Sequence, residues 1–191
     1  VKITKKNFGR DRRYPITNLS VIGGRLQRPS VMVVVGSTAS MLSGQEDRQT
    51  PDIDVWFPMS DFDAVDMKQA VEAAGLHYDP RGEIGGQDLY LQILRPGITM
   101  YPVEFETTTL GVFGNLTVKM PPAALMVATK LARATETDLE DVSWWMKNAG
   151  IDRSEVEAAI QRIPQRRHRE EAAANLIFVD IGSDGANADG P

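Results

Sequence analysis

Five apolar residues in a row, Val31, Met32, Val33, Val34 and Val35, end abruptly at Gly36 and Ser37. A run this short and this rich in β-branched side chains reads as a strand covered on both faces, because a strand with one wet face would alternate. Gly36-Ser37 supplies a turn, and residues 38–42 are compatible with a short helix. Residues 52–57 then read Asp-Ile-Asp-Val-Trp-Phe. Alternation places Ile53, Val55 and Phe57 on one face of a second strand and Asp52 and Asp54 on the other. A buried strand, a glycine turn, a helix and a half-buried strand within residues 31–57 exclude an all-helical fold and point to a mixed α and β architecture.

The rest of the chain divides around this segment. Residues 1–14 have no apolar period and read as an arm or edge strand, and residues 15–27 as a short helix broken at Gly23-Gly24. Ser60 and Asp63 are spaced like a capping box for a helix with Phe62, Val65, Ala70, Val71 and Ala74 as its apolar face. His77 falls in a strand-like stretch as a polar edge residue. Residues 89–94 and 98–106 flank Arg95-Pro-Gly97 as an antiparallel hairpin, and residues 116–118 can add a strand.

From Pro121-Pro122 onward the pattern is helical. One helix runs to about Ala134. A second carries Leu139, Val142 and Met146 and ends at Gly150. A third starts at Asp152 and stops before Pro164, and a fourth covers residues 165–176. The expected organisation is a basic N-terminal arm and short helix over 1–28, a core over 29–119, a helical part over 120–181 and a disordered Gly/Asp/Ala-rich tail over 182–191. The expected fold is α+β, a small mixed sheet flanked by helices and followed by a small C-terminal helical part.

Composition narrows the chemistry. The chain has no cysteine and only two histidines, His77 and His168, far apart in sequence. That excludes disulfides, thiolate zinc sites and Cys nucleophiles, and argues against a His-built metal site. Hydroxyls, carboxylates and Lys/Arg remain. No apolar run nears the roughly 20 residues of a membrane span. The basic opening segment lacks the apolar stretch of a secretory leader. A cytoplasmic protein with no membrane association is the expectation.

Charge is uneven. Residues 1–28 hold eight Lys/Arg against one acid, Asp11, whereas the remainder holds 13 against 25. A basic segment on an acidic body can touch a polyanion or clamp onto its own acidic surface. Acids concentrate between Glu46 and Asp66, where seven face one base, Arg48.

Within that run, Asp52 and Asp54 stand about 6–7 Å apart along one strand. Paired carboxylates on a half-buried strand repel unless a cation joins them, and Mg²⁺ favours carboxylate oxygens together with substrate phosphates. Val103-Glu-Phe-Glu106 offers Glu104 and Glu106 as further strand acids. Asp138 and Asp141, spaced i, i+3, share one helix face, either to orient Lys130, to meet a ligand, or as ordinary exposed acids near a helix start. Trp144-Trp145 reads as core and edge packing. Arg166-Arg-His-Arg169 reads as a solvated helix face first and an RNA-contacting patch second.

Taken together, Val35-Gly-Ser-Thr-Ala39, Leu42, Gly44 and Arg48-Gln-Thr-Pro-Asp-Ile-Asp-Val55 resemble the signature of the DNA polymerase beta-like nucleotidyltransferase superfamily. There a hydrophobic strand ends in Gly-Gly or Gly-Ser and is followed by Asp-hydrophobic-Asp-hydrophobic. The likeness is nearest to minimal bacterial members, including toxins of abortive-infection type toxin–antitoxin systems, which often carry Arg-x-Thr-x-Asp-Ile-Asp. Met120-Pro-Pro-Ala-Ala-Leu-Met-Val-Ala-Thr-Lys-Leu131 with Asp138-Leu-Glu-Asp-Val142 is similar to that family's second block, although Thr135-Glu-Thr137 stands where an Arg is common.

The resemblance implies a nucleotidyltransferase-type sheet and Mg²⁺- (or Mn²⁺-) dependent transfer of an NMP from an NTP to an acceptor hydroxyl. It implies Asp52, Asp54 and Glu104 as catalytic, metal-holding carboxylates, with Glu106 the alternative third. It implies Gly36, Ser37, Arg48, Thr50, Lys130, Asp138 and Asp141 as nucleotide-binding residues. The implied acceptor is tRNA, with an antitoxin protein as partner, or a small molecule of aminoglycoside type. A degenerate module that binds a nucleotide or partner without turnover is the competing reading.

Overall fold

The computed structural model describes residues 16–45, 48, 50, 52–83 and 89–184. The expected basic arm lies almost wholly outside them. The chain forms two compact units, one from Val1–Arg95 and Glu106–Pro121, the other from Pro96–Phe105 and Pro122–Pro191. The architecture is α+β: small three-stranded sheets with helices in the first unit and a helical second unit.

In chain order the first unit contains α1 (Ile16–Arg25), β1 (Ser30–Val33), α2 (Gly36–Leu42), β2 (Asp52–Trp56), α3 (Ala64–Ala73), β3 (His77–Asp79), β4 (Tyr90–Leu94), β5 (Thr108–Phe113) and β6 (Leu116–Met120). Instead of one sheet, the strands form two, ordered β1-β6-β5 and β2-β4-β3. In the first, β1 runs parallel to β6 and β5 antiparallel to it. The second is parallel throughout. They meet where Val34 bridges Val55 and the Val35 N–H donates to the Asp54 carbonyl at 2.9 Å. Met32, Val33, Val34, Ile53, Val55, Leu91, Leu116 and Val118 are fully buried, as the continuous apolar run required.

The expected hairpin over 89–106 does not form. β4 is the central strand of its sheet, and β2 and β3 already take both its hydrogen-bonding edges, so residues 98–106 have no edge to join. They lie outside any strand, and Pro96 and Thr99 share only an isolated bridge. The hairpin of this fold is β5–β6, reversing at Gly114-Asn115.

That hairpin also explains why Gly23-Gly24 does not break α1. A Cβ on Gly23 would fall 1.6 Å from the Phe113 carbonyl oxygen, so glycine is what allows the helix to lie against the hairpin. The hairpin in turn finishes the helix. Asn115 donates its N–H to Gly23 O at 3.0 Å and its Nδ2 to Leu26 O at 2.8 Å, satisfying carbonyls a helix end leaves open.

Two local expectations also shift. Asp63, not Ser60, caps α3, accepting from the N–H groups of Val65 and Asp66. Ser60 instead links strands, donating to Trp56 O and accepting from Val33 N–H. The buried face of α3 is Met67, Ala70 and Val71, while Val65 is exposed. β2 ends at the buried Trp56, and Phe57 begins a 3-10 turn with its ring half exposed.

The second unit contains α4 (Ala123–Arg133), α5 (Glu136–Asn148), α6 (Arg153–Gln161), α7 (Arg166–Ala174) and α8 (Ile177–Asp184). Helix α4 is buried continuously from Leu125 to Ala132, because α5, α6 and α7 all pack on it. A helix covered from several sides has no polar face to spare. Ala134 ends it in the left-handed conformation, with φ of 47°. Thr135 caps α5, and Asp152 with Glu155 forms a capping box on α6. Helix α8 occupies part of the segment expected as tail; residues 185–191 lie outside the described ones. Among the described residues, no helix is long and apolar enough to cross a membrane.

Candidate functional site

Local sequence places Asp52 and Asp54 on one face of β2, both half-buried. Asp52 accepts a hydrogen bond on its carboxylate from the Thr50 hydroxyl. Its main-chain carbonyl accepts from Thr38 Oγ1, on α2, at 2.8 Å. The Asp54 carbonyl is the acceptor for Val35 N–H. The turn between β1 and α2 therefore lies directly on the aspartate strand.

Gly36 is what makes that approach possible. Its φ is +64°, and a Cβ there would stand 3.0 Å from Asp54 Oδ2. A side chain would meet the carboxylate and would also strain the backbone. One residue on, the Ser37 hydroxyl accepts from the Arg48 guanidinium at 2.6 Å. The structure thus gathers Gly36, Ser37, Arg48, Thr50, Asp52 and Asp54 into one constellation. It consists of two carboxylates, two hydroxyls and a guanidinium beside a side-chain-free turn.

The strand beside Asp52 and Asp54 carries no carboxylate. In register, Asp52 pairs with Tyr90 and Asp54 with Gln92, and parallel partners in register point to the same face. Asp79 follows one strand further, opposite Gln92. It is buried, and its Oδ1 accepts from the N–H groups of Arg81, Gly82 and Glu83, so it organises the loop after β3. Burial, then the charges of Asp52, Asp54 and Asp79, push the Tyr90 phenol above its ordinary value. It is therefore an O–H donor at neutral pH. Tyr90 and Gln92 were missed in the sequence reading, although the alternation Tyr-Leu-Gln-Ile already put them on one face of a strand.

Other expected site residues are placed differently. Glu104 is exposed, lies outside any strand and belongs to the second unit; Glu106 is exposed and belongs to the first. The strand that gave Glu104 its argument as third carboxylate is absent. Among the described residues, no three His, Asp or Glu side chains gather as a metal-holding group.

Lys130 is 2% exposed, and its Nζ lies 2.5 Å from Asp141 Oδ2 and 3.7 Å from Asp138 Oδ1. Asp138 also takes a two-pronged contact from Arg133, at 3.1 and 2.5 Å, and the Thr135 hydroxyl at 2.8 Å. Both aspartates are buried rather than exposed. Burial pulls Lys130 below the ordinary lysine value, against Asp141 and Asp138, which pull it up. Burial works against ionising Asp138, yet Arg133, Thr135 and Lys130 hold it below the usual carboxylate range. Of the alternatives for this acid pair, the geometry gives the one in which it orients Lys130, and the charges bind α4 to α5.

The Arg166–Arg169 stretch is internally matched. Arg166 pairs with Glu170, Arg167 and His168 with Glu171, and Arg169 donates to the carbonyls of Ile163 and Pro164. Trp144 and Trp145 meet edge to face at 4.9 Å, with Trp145 buried.

Asp52 and Asp54 suit a hard cation. They offer only oxygen donors from one rigid strand, and Mg²⁺ or Mn²⁺ is content with one or two carboxylates when phosphates and water complete its shell. The space that a Cβ at Gly36 would fill borders one of those oxygens. In comparison with known proteins, no family model, no curated protein and no solved structure matches this chain.

Proposed function

We propose that the chain is a Mg²⁺-dependent nucleotidyltransferase that moves an NMP from an NTP to an acceptor hydroxyl. The observation that carries the reading is the approach of the Gly36-Ser37 turn to Asp54, with Arg48 on Ser37 and Asp52 fixed alongside. Nucleotidyl transfer needs positioning and charge neutralisation more than covalent chemistry from the protein. In this reading Asp52 and Asp54 hold Mg²⁺, which supplies neutralisation of the triphosphate charge. Ser37 and Arg48 face the phosphates with a hydroxyl and a fixed positive charge. Gly36 leaves the backbone room to approach them. Thr38 and Thr50 fix Asp52 at its carbonyl and its carboxylate. Lys130 is assigned no nucleotide contact, because its charge is engaged inside the helical unit.

A second reading, a nucleotide-binding module without turnover, is favoured by one observation: β4 presents Tyr90 and Gln92, not a third carboxylate, beside the aspartates. The test is incubation with each α-labelled NTP and Mg²⁺, with either total tRNA or aminoglycosides as acceptor. Label transfer that disappears in Asp54→Ala supports the enzyme and identifies the acceptor class. Transfer that persists in that variant overturns the assignment. NTP binding without transfer to either class selects the second reading.

A further inference from the structure

The hydroxyls of Ser37, Thr38 and Thr50 border the two aspartates, and they use their protons differently. Thr38 Oγ1 donates to the Asp52 main-chain carbonyl at 2.8 Å, and the Thr50 hydroxyl donates to the Asp52 carboxylate. Ser37 does neither. Its oxygen accepts from the Arg48 guanidinium at 2.6 Å, and among the described residues its O–H has no acceptor. Helical serines commonly turn the hydroxyl back onto the carbonyl four residues earlier, as Ser20 does to Ile16 O at 3.0 Å and Ser43 to Ala39 O at 2.8 Å. Ser37 is half-buried and holds a proton that the fold does not use.

A serine hydroxyl has one proton and two lone pairs. A guanidinium N–H on one lone pair turns the proton away from itself, and its positive charge polarises the O–H into a stronger donor. The acceptor that suits such a proton is an anionic oxygen, which gains from the hydroxyl and from the charge behind it. We infer that Arg48 is a positioning residue for Ser37, aiming the hydroxyl proton at a phosphate oxygen of the triphosphate, and that its effect on the ligand runs through that hydroxyl. This inference rests on the reading of the site as one that takes an NTP, and it makes Ser37 and Arg48 a single unit within it. Arg48, Thr50, Asp52 and Asp54 stand at every second position, so one short run brings a donor to Ser37, a donor to Asp52 and the two carboxylates.

The experiment is isothermal titration calorimetry of the full chain with inorganic triphosphate in excess Mg²⁺, for wild type, Ser37→Ala, Arg48→Met and the double variant. Ligand-free thermal melts accompany each titration. The expected result is binding by wild type, affinity about tenfold weaker in each single variant, and a double variant no weaker than the singles. A proton that is no longer aimed and a proton that is missing cost the same contact, so the losses do not add. The ligand-free Tm of Ser37→Ala is expected to equal that of wild type. Affinity in Ser37→Ala equal to wild type overturns the inference, whether or not Arg48→Met folds. A weakened affinity with a lowered ligand-free Tm in Ser37→Ala overturns it too, since the hydroxyl then serves the fold. Losses that add, to about a hundredfold in the double variant, mean that Arg48 meets the phosphates on its own, and Arg48→Met binding like wild type removes its role; either result refutes the relay. Absence of triphosphate binding by wild type also overturns it, and the label-transfer assay shows separately whether the nucleotidyltransferase reading falls as well.

Discussion

The buried lysine of α4 gives the sharpest test of where charge is structural in this chain. Lys130 is 2% exposed and Asp141 0% exposed, with 2.5 Å between Nζ and Oδ2. At an effective dielectric of about 20, unit charges at that separation attract by roughly 6–7 kcal/mol. Removing both ions from water costs several kcal/mol each, so the intact pair contributes little net stability. The asymmetry appears when one partner is removed. Lys130→Met takes the ammonium away from the buried Asp141 inside the helical unit, and breaking a buried pair costs about 3–5 kcal/mol.

In urea, with a slope near 2 kcal/mol per molar, that loss lowers the unfolding midpoint by about 2 M. Lys130→Met with Asp141→Leu removes the buried carboxylate as well and is expected to regain at least half of the loss. Urea unfolding followed by helical circular dichroism measures both variants, with NTP binding measured alongside. If Lys130→Met costs less than about 1 kcal/mol and instead abolishes NTP binding, the structural account of this lysine is refuted. If the double variant is no more stable than the single one, a buried Asp141 deprived of its lysine is not the cause of the loss.

Three other perturbations probe the fold and the site. Gly36→Ala forces a φ of +64° on alanine and sets its methyl 3.0 Å from Asp54 Oδ2. A thermal melt should show about 1–2 kcal/mol of destabilisation, and a Mn²⁺ titration weakened binding; unaltered binding would mean that the carboxylate moves aside freely. Gly23→Ala reverses the usual helix gain of about 1 kcal/mol, because its methyl collides with the Phe113 carbonyl. Denaturation should show a net loss of about 1–3 kcal/mol, and a gain would mean that α1 and the hairpin separate without cost. Asp138 is held below its unfolded value of 3.8, so its contribution is complete above that value and disappears as pH falls through the lower folded pKa. Asp138→Asn should therefore flatten the stability curve between about pH 5 and pH 2, and an unchanged acid slope in pH-dependent melts would contradict the pairing with Arg133.

Much of the framework was legible because it rests on local pattern. The apolar run of β1, the alternation of β2, and the stops at Pro164 and Gly150 need no tertiary information. What failed depended on neighbours. Nothing in Tyr-Leu-Gln-Ile-Leu says that β4 has strands on both sides, and that fact alone removes the hairpin with residues 98–106. β5 was overlooked because Thr108, Thr109 and Val112 are exposed on an edge strand and Gly111 interrupts the pattern at an irregular step in the ladder. Its turn, Gly114-Asn115 between apolar residues, was a readable hairpin signal. In the site, Arg48 to Asp54 was legible as one contiguous motif. Tyr90 belongs to it only through strand register, which a single sequence does not encode. Lys130 entered the expected site only through the resemblance, and its burial under α5, α6 and α7 beside Asp141 depends on packing that no local pattern encodes.

The acid-rich stretch from Glu46 to Asp66 separates by the same logic. Asp63 caps α3 and pairs with Arg28 at 2.8 Å. Asp66 accepts from Gln27 N–H at 3.0 Å. Both contacts join the end of the basic segment to the acidic body, and Arg28 is the base that takes part. Asp61 is joined to Val31 through paired main-chain hydrogen bonds of 2.7 and 2.8 Å, a role any residue can fill. Glu46 and Asp47 lie outside the described residues. That leaves Asp52 and Asp54, which cap no helix and stand side by side on a strand with no carboxylate on the strand beside them. The Thr50 hydroxyl donates to the Asp52 carboxylate, and a glycine at position 36 keeps a side chain away from Asp54 Oδ2. In the proposed reading, a hydroxyl that orders one carboxylate and a glycine beside its neighbour suit two oxygen ligands sharing a cation better than two solvated surface acids, whose rotation nothing needs to fix.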